Sequence, residues 1–340
     1  MKLLSIIIPS YNTETFMREN LQTYLDERLF TNVEVLLVND GSTDMTGEIG
    51  LEYAKNYPGY IKCINKENGG HGSVINTGLQ LAKGKYFKVI DADDWVETEN
   101  LIKLVRELEL LESNNKQTDV IVNSYYTIDQ QTRKKTYIKP FDGVKTSAIY
   151  KFTDVAQHGL KNISIHSVTF RTEVVSSIRV TEKCFYEDFQ YVNFPLPNFS
   201  TIIFFDFPVY NYLIGQATQS VSDIKVLKND WMLIKIFEDS VAYFDGVTTN
   251  ESTDRYIEKK MCEFLRSIYN VYLRNYRYKE DNVDVYTSMI ITDKKIKKIS
   301  KSYYDSVAHS NTYIRLMRSK KKSLFNVLGL MFTLRKRFRG

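Results

Sequence analysis

The residues most able to do chemistry form a short acidic cluster, Asp91-Ala92-Asp93-Asp94, which follows an apolar run at 86–90. Such a run is typical of a buried β-strand, so we expect the carboxylates at its C-terminal end. Carboxylate oxygens are the ligands that Mg²⁺ and Mn²⁺ prefer, and these ions commonly bridge to substrate phosphates. Because open α/β sheets bind ligands beyond the carboxyl ends of their strands, the cluster predicts a metal and diphosphate site.

Three further apolar runs in the first half of the chain are followed by polar segments. These segments are 9–12, 39–44 and 68–72. Because the carboxyl ends of parallel strands lie at the same edge of a sheet, all four polar segments are expected to meet there. Four such ends on consecutive turns indicate one binding site more strongly than any single loop does.

The elements that must position these segments alternate along the first 125 residues. The sequence predicts strands at 3–8, 33–38, 60–64, 86–90 and 120–122, and helices at 14–25, 46–56, 73–82 and 97–111. We expect Pro9 to end the first strand and Gly84 to stop the third helix at its C′ position. The alternation of continuous apolar strands and helices predicts an α/β fold whose mostly parallel sheet has helices on both faces.

The pattern changes in the second half of the chain. Residues 126–215 are mixed, with a clear strand at 201–207, and helical spacing then dominates at 223–244 and 254–276. A C-terminal helical region is therefore predicted to follow the sheet.

Composition excludes several classes of protein. With 43% hydrophobic and 26% charged residues, the 340-residue chain is typical of a folded globular protein. Cys63, Cys184 and Cys262 are isolated, which argues against a disulfide scaffold or a zinc site and favours a reducing compartment. The N-terminal apolar run is too short for a signal peptide, and no run is long enough to predict a membrane-spanning helix.

Positive charge is concentrated at the C-terminal end. Residues 294–340 carry fourteen Lys and Arg residues against one acidic residue, Asp305, whereas the preceding residues carry net negative charge. Within this end, the mostly apolar stretch 323–334 lies between basic residues at 320–322 and 335–339. We favour an interfacial helix on anionic lipid, and the alternatives are a docked core helix with a solvated end or a nucleic-acid-binding tail.

The polar strand ends together resemble the family 2 glycosyltransferases, which have the GT-A fold. The matching sequences are SIIIPSYN (5–12), VNDGSTD (38–44), NGGHGSVINTGLQLAKGKY (68–86) and DADDW (91–95). They occur in the family's order and spacing. Two later segments, Tyr186-Glu187-Asp188 and Gln219-Ser220-Val221-Ser222, are also similar to family elements.

The resemblance implies a nucleotide-sugar donor site. Asp40 would accept a hydrogen bond from the base, and Gly69, Gly70 and Gly72 would admit the donor close to the backbone. The other residues implied in donor binding are Pro9, Tyr11, Asn12, Glu14, His71, Asn76, Asp91, Ala92, Asp93, Gln219 and Ser220. Local alternatives are a turn role for Asp40, a surface position for His71 and a loop without donor contact at 219–220.

The resemblance also implies a metal site and a catalytic base. Asp93 would bind Mn²⁺ or Mg²⁺ directly, with Asp91 oriented toward the ribose or sugar, and Asp94 would cap a helix or support the other two. Asp188, with its neighbour Glu187, would take the proton of the acceptor hydroxyl, although an acidic pair is also favoured at a helix start.

The sequence departs from the common family pattern at one donor position. Many members carry Arg at the position of Ile75. Lys66 and His71 are the candidates to replace the donor contact that this Arg would supply.

We therefore predict a metal-dependent, inverting hexosyltransferase with the GT-A fold. It would move a sugar from a UDP-sugar to a growing surface glycan or lipid-linked glycan, such as a capsule, exopolysaccharide or wall-polymer precursor. The predicted parts are a catalytic domain (1–220, with a donor half at 1–125 and an acceptor half at 126–220), a helical region (221–300) and a basic tail (301–340). We expect a cytoplasmic protein, peripheral at the inner face of the cell membrane and without a nucleic-acid partner.

Two other functions stay open at this point. One is a nucleotidyltransferase with a related fold, and the other is a non-catalytic protein that binds nucleotides or glycans. A dinucleotide dehydrogenase is disfavoured because no GxGxxG motif follows the first strand.

Overall fold

A computed structural model describes residues 2–161, 163–215, 223–278, 284–319 and 321–337. The chain divides into two compact units, residues 1–216 and 217–340, which are considered separately below. We refer to them as the sheet unit and the helical unit. The functional boundaries predicted from the sequence remain predictions.

The sheet unit alternates strands and helices in its first half and is richer in strands in its second. Its strands are β1 (Leu4–Ser10), β2 (Val33–Asn39), β3 (Ile61–Asn65), β4 (Tyr86–Val89), β5 (Trp95–Val96), β6 (Val120–Asp129), β7 (Lys135–Ile138), β8 (Ile149–Lys151), β9 (Val168–Arg171) and β10 (Thr201–Ile214). Its helices are α1 (Glu14–Gln22), α2 (Thr46–Asn56), α3 (His71–Leu81), α4 (Thr98–Ser113), α5 (Phe152–Ala156), α6 (Thr172–Val175) and α7 (Asp188–Asn193). Short 3₁₀ helices span Glu27–Leu29 and Leu196–Asn198.

The described strands form one sheet in the order β3-β2-β1-β4-β9-β6-β10-β5, with β7 on β6 and β8 on β10. Neighbours within β3-β2-β1-β4 are parallel, as are β6 and β10. The antiparallel strand β9 lies between these two parallel groups. The predicted α/β class is confirmed, whereas the sequence did not indicate the antiparallel strands β5, β7, β8 and β9.

Burial explains why the first strands are parallel and central. Every residue of β1 and β2 is buried, which requires cover on both faces of the sheet. The prediction that Pro9 ends β1 is wrong, because Pro9 pairs with Val38 and the strand continues to Ser10. The pairing of β1 with β4 has already ended at Ile7, so the missing N–H of Pro9 interrupts no ladder there.

The prediction that Gly84 stops α3 at C′ is also wrong. The helix ends at Leu81 with Ala82 as its C-cap. A Cβ on Gly84 would lie 2.4 Å from the backbone nitrogen of Ser5, so this glycine lets the chain pass close to β1 before β4 begins.

The helical unit consists, in its described part, of seven helices. They are α8 (Asp223–Lys228), α9 (Asp230–Asp245), α10 (Glu251–Arg274), α11 (Val285–Ile299), α12 (Lys301–Ser310), α13 (Thr312–Met317) and α14 (Lys322–Arg337). The single helix predicted at 223–244 is therefore two, and Asn229 separates them. None of the helices described here combines the length and apolar character that crossing a bilayer requires.

Candidate active site

The turns that follow β1 and β2 are held together by reciprocal hydrogen bonds. Asn12 accepts from the Thr43 backbone N–H at 2.8 Å, and Glu14 accepts from Met45 N–H at 2.9 Å. In the other direction, the Glu14 N–H donates to Asp44 at 3.1 Å. Two of the predicted strand ends thus form one surface. Pro9 is buried beneath it, and Tyr11 is exposed.

The carboxylate of Asp40 links the second strand end to the glycine loop at 66–72. It is buried and accepts from Lys66 Nζ at 2.7 Å, from Gly69 N–H at 2.9 Å and from Gly70 N–H at 2.7 Å. Charge-assisted bonds of this kind are among the stronger ones in proteins. In this structure Asp40 therefore fixes the conformation of the glycine loop.

Close packing of the chain on itself explains two glycines of that loop. Gly70 has φ +80°, and a Cβ there would lie 3.2 Å from the backbone of Lys183. A Cβ on Gly72 would lie 2.2 Å from the carbonyl oxygen of Thr181. The Lys183 N–H donates to Gly69 O at 2.8 Å, so segment 181–187 rests directly on the loop.

Asn76 holds the start of the same segment. Its side-chain amide donates to Val180 O and to Glu182 Oε1, both at 3.0 Å, and its Oδ1 accepts from Val180 N–H at 3.0 Å. Ile75, where many family members carry Arg, is fully buried. Helix α3 thus positions the segment that leads to Glu187 and Asp188.

His71 joins two parts of the predicted site that are far apart in sequence. Its Nδ1 lies 2.5 Å from Glu187 Oε1, and its Nε2 lies 2.9 Å from Asp91 Oδ1. Both ring nitrogens therefore face carboxylates, which is the arrangement that suits a doubly protonated imidazolium. The acidic cluster after β4 and the Glu187-Asp188 pair are connected through one side chain.

The electrostatics of His71 follow from these contacts. Burial lowers the pKa of His71, but the hydrogen bonds to Asp91 and Glu187 outweigh burial and hold that pKa well above its usual value. Burial raises the pKa of Asp91, yet the hydrogen bond and charge of His71 leave it below its usual value. The imidazolium thus favours the ionised form of Asp91.

Asp188 begins helix α7 and is accessible to solvent, whereas Glu187 beside it is buried. Desolvation by the surrounding residues and the charge of Glu187 raise the pKa of Asp188 to about 6. Within the part of the chain described, Glu187 Oε2 is buried without a hydrogen-bond partner. The pair therefore offers one anchored carboxylate and one that an incoming molecule can reach.

Asp94 is not a helix cap, because α4 begins at Thr98 and its N-cap is Glu97. Its buried carboxylate accepts from Tyr210 Oη at 2.6 Å and from Leu213 N–H at 2.7 Å. Asp94 thus ties the acidic cluster to β10. Burial and the charges of Asp93 and Asp91 raise the pKa of Asp94 well above its usual value.

The described residues contain a group able to hold a metal ion: Asp91, Asp94 and His166 each offer a ligand atom within 4.8 Å of the others. Asp93, the predicted direct ligand, is partly buried and lies outside this group. The His166 ring stacks on Tyr212 with 4.0 Å between centroids. The sequence pattern alone did not identify His166 as a candidate ligand.

Lys88 is a further polar residue near this group to which the sequence assigned no role. It is fully buried in β4, and its Nζ donates to Val168 O at 2.9 Å and to His166 O at 3.4 Å. Burial lowers the pKa of Lys88 to about 7. A lysine inside an otherwise apolar strand was the signal in the sequence that could have identified this position.

Gln219 and Ser220, predicted to approach the donor, lie outside the described residues.

Replacing His71 with Gln should destabilise the metal-free protein by roughly 2–3 kcal/mol, because Asp91 and Glu187 would then lack their shared cation. Because the pKa of His71 is higher in the folded than in the unfolded protein, protonated His71 stabilises the fold. This stabilisation is complete at pH values below the unfolded-state pKa of about 6.5, and it is lost as pH rises through the folded-state pKa. The lowered pKa of Asp91 contributes only above about pH 4. The difference from wild type should therefore be largest at roughly pH 4–6.5.

Urea unfolding in the presence of a chelator across this pH range would measure the effect. Exposed His158, replaced by Gln, is the matched control. Equal free energies of unfolding for His71→Gln and wild type at every pH would contradict the bridge.

Comparison with known proteins identifies the family to which the chain is similar and the solved structures that share its fold. The profile of the family Glycosyl transferase family 2 matches residues 5–178, just over half of the chain. The uncharacterized glycosyltransferase EpsJ of Bacillus subtilis is 37% identical over 138 residues, which cover 41% of this chain and 38% of EpsJ. The match thus spans about two fifths of that relative's length.

Two solved structures are similar in fold. S. aureus TarS 1–349 in complex with UDP-GlcNAc has a TM-score of 0.69 at 18% identity, covering 98% of this chain and 92% of that 1–349 chain. The mannosyltransferase PcManGT from Pyrobaculum calidifontis, in complex with GDP-Man and Mn²⁺, has a TM-score of 0.50 at 14% identity, covering 96% and 86%. The likeness to TarS confirms the predicted fold class, a mostly parallel GT-A-like sheet with C-terminal helices.

Proposed function

The chain belongs to glycosyltransferase family 2, and from this premise we propose that it transfers a sugar from a nucleoside-diphosphate sugar to a hydroxyl group of a glycan, with inversion at the anomeric carbon. One observation carries the proposal. His71 contacts both Asp91 and Glu187, so the residues proposed to hold the donor diphosphate adjoin the residues proposed to activate the acceptor. An inverting displacement needs these two functions side by side.

A UDP-sugar is the proposed donor. One support is the likeness to TarS, whose structure holds UDP-GlcNAc. The other is the pair of turns after β1 and β2, which are joined by hydrogen bonds and would enclose the nucleotide. We propose that Asp40 serves this site in two ways, by holding the glycine loop and by offering its remaining acceptor capacity to the base. Lys66, engaged with Asp40, is the better candidate for the contact that Arg supplies in other members.

The residues near Asp91 fit a divalent cation. The group of Asp91, Asp94 and His166 offers two carboxylates and an imidazole whose ligand atoms lie within 4.8 Å of one another, a donor set that suits Mn²⁺ and, through its oxygens, Mg²⁺. We propose Asp91 and Asp93 as ligands, with His166 as an additional one. Asp94 is less available, since both of its oxygens already accept hydrogen bonds. A bound cation supplies positive charge that stabilises the departing diphosphate.

Asp188 is the proposed catalytic base. It would take the proton from the acceptor hydroxyl while that oxygen attacks the anomeric carbon and the nucleoside diphosphate leaves from the opposite face. Its solvent-accessible carboxylate and its pKa of about 6 suit a base that is ionised at neutral pH yet remains basic enough to accept a proton. Glu187, anchored by His71, would hold Asp188 in place.

The proposed acceptor is a growing cell-surface glycan or lipid-linked glycan, as the resemblance to the family implies. We further propose that the protein works at the inner face of the cell membrane, as a peripheral protein.

Slow Mn²⁺-dependent hydrolysis of one member of a UDP-sugar panel, scored as UDP released, is the expected activity in the absence of acceptor. Asp93→Ala should lower this rate by about 10²-fold or more, because the diphosphate would lose a ligand of its cation. Exposed Asp154→Ala is the matched control and should keep the wild-type rate. The proposal would be overturned if the wild type neither released UDP nor bound UDP in a metal-dependent way.

A further inference from the structure

Helix α14 has two apolar faces, and the described residues cover only one of them. Phe325, Leu328 and Gly329 are buried, and a Cβ on Gly329 would lie 2.3 Å from the ring of Tyr276. The ring of Phe325 lies 5.5 Å from that of Tyr286. This face therefore packs tightly on the rest of the helical unit and fixes the orientation of α14.

The opposite face of α14 exposes a continuous apolar stripe. Val327, Leu330, Met331 and Leu334 are 51%, 40%, 50% and 43% exposed. Their spacing of three, one and three residues places them side by side along the helix. They are offset by about two residues from the buried set, which is roughly half a helical turn. An exposed apolar stripe of this length on a docked helix indicates an interaction surface.

Charge determines which partner suits the stripe. Lys321 and Lys322 precede it and are exposed, and the sequence continues after it with Arg335, Lys336 and Arg337. Lys322 is partly neutralised by Asp284 at 3.1 Å. Because both ends of the stripe are basic, a second copy packed on it in either direction would place like charges together. An anionic surface would instead complement both ends.

We propose that this face of α14, defined by Val327, Leu330, Met331 and Leu334, docks the protein on an anionic lipid bilayer. A 16-residue helix is about 24 Å long, too short to span the hydrocarbon core but suited to lying in its interface. The apolar side chains would enter the boundary between headgroups and acyl chains, while the flanking cations contact lipid phosphates. This inference specifies the peripheral location suggested above and does not depend on sugar transfer.

Binding of the full chain to vesicles, measured by co-sedimentation without donor or acceptor, tests the proposal. Wild type should bind mixed phosphatidylcholine–phosphatidylglycerol vesicles and much less to phosphatidylcholine alone, and salt should weaken that binding. The double variant Leu330→Glu, Met331→Glu should bind at least about tenfold more weakly, because two apolar contacts are lost and two negative charges are added.

The matched control carries Glu at two other exposed leucines, Leu51 and Leu110, which are 51% and 55% exposed in the sheet unit. It should bind like wild type. If the Leu330→Glu, Met331→Glu variant melts at a lower temperature than wild type, the double variant Leu330→Ser, Met331→Ser takes its place. Equal binding by stripe variants and control, or no preference of wild type for anionic vesicles, would overturn the proposal. The proposal would also be overturned if light scattering showed that wild type is a dimer and that the stripe variant is a monomer.

Because membrane binding and UDP release are measured separately, either can fail without the other. Loss of vesicle binding with unchanged hydrolysis of the UDP-sugar in solution would confirm that the stripe serves location and not chemistry.

Discussion

Asp188→Asn is expected to lower kcat for sugar transfer about 10³-fold, within the range that general bases contribute, because the carboxylate proposed to take the acceptor proton would be lost. KM for the donor should change little, since the proposed contact of Asp188 is with the acceptor hydroxyl. Initial rates with a matched donor and acceptor, at saturating metal, measure both constants. The melting temperature should stay near that of wild type, because Asn is isosteric and the side chain is solvent-accessible.

The pH profile distinguishes a base from a structural residue at a helix start. With a pKa of about 6, Asp188 is ionised and active above pH 6 and is progressively protonated below it. Wild-type kcat/KM for the acceptor should therefore fall about tenfold per unit below pH 6, whereas an ordinary carboxylate would hold its rate to about pH 4. The residual rate of Asp188→Asn should not show this fall below pH 6. Asp154→Asn, on the exposed start of α5, is the control. Full wild-type activity at pH 5 would contradict the assignment.

The sheet edge that carries the site was predictable from the sequence. β1 and β2 are uninterrupted apolar runs with polar residues directly after them, and their register leaves Ser10 opposite Asn39. Parallel neighbours of this kind must end at the same edge, so Asp40 and Asp91 were expected there together. Local pattern was sufficient because each of these strands is covered on both faces.

The contacts that complete the site were not predictable in this way. His71 and Glu187 are 116 positions apart, and His166 reaches Asp91 only because β9 pairs with both β4 and β6. β9 has four residues and no alternating pattern long enough to identify it, and its register depends on tertiary packing. Strand β10 was predicted to end at Phe207, but a bulge at Pro208 lets the strand continue to Tyr210, the partner of Asp94.

The glycines of the loop at 66–72 have a physical reason that the sequence did not show. The sequence suggested that Gly70 and Gly72 admit the donor. In the structure, the chain itself occupies the space beside both residues, through Lys183 and Thr181. The two reasons are compatible, but only the second predicts that a methyl group at Gly72 would disturb the proposed base without touching the donor.

Gly72→Ala is expected to cost about 3 kcal/mol of unfolding free energy and to lower kcat about 10²-fold. The new Cβ would lie 2.2 Å from Thr181 O and 3.1 Å from Glu187 Cγ, so segment 181–187 would have to move. That segment is held at Val180 by Asn76, and the Thr181 N–H donates to Gln190 at 2.7 Å. Relief of the clash is therefore expensive and must displace Glu187, and a displacement of about 1 Å at a reacting group can cost 10²-fold in rate.

Thermal unfolding and kinetics on one preparation measure both effects, and roughly 6–12 °C in melting temperature is expected for a unit of this size. Gly246→Ala is the control for an added methyl group, since its nearest neighbours would lie at 3.5 and 3.7 Å, ordinary contact distances. Metal-dependent UDP binding should persist in Gly72→Ala wherever the protein is folded, because the contacts of Asp40 do not involve segment 181–187. A Gly72→Ala variant with wild-type stability and rate would show that this segment does not pack on α3 in solution, and the link between Asp91 and Glu187 through His71 would fail with it.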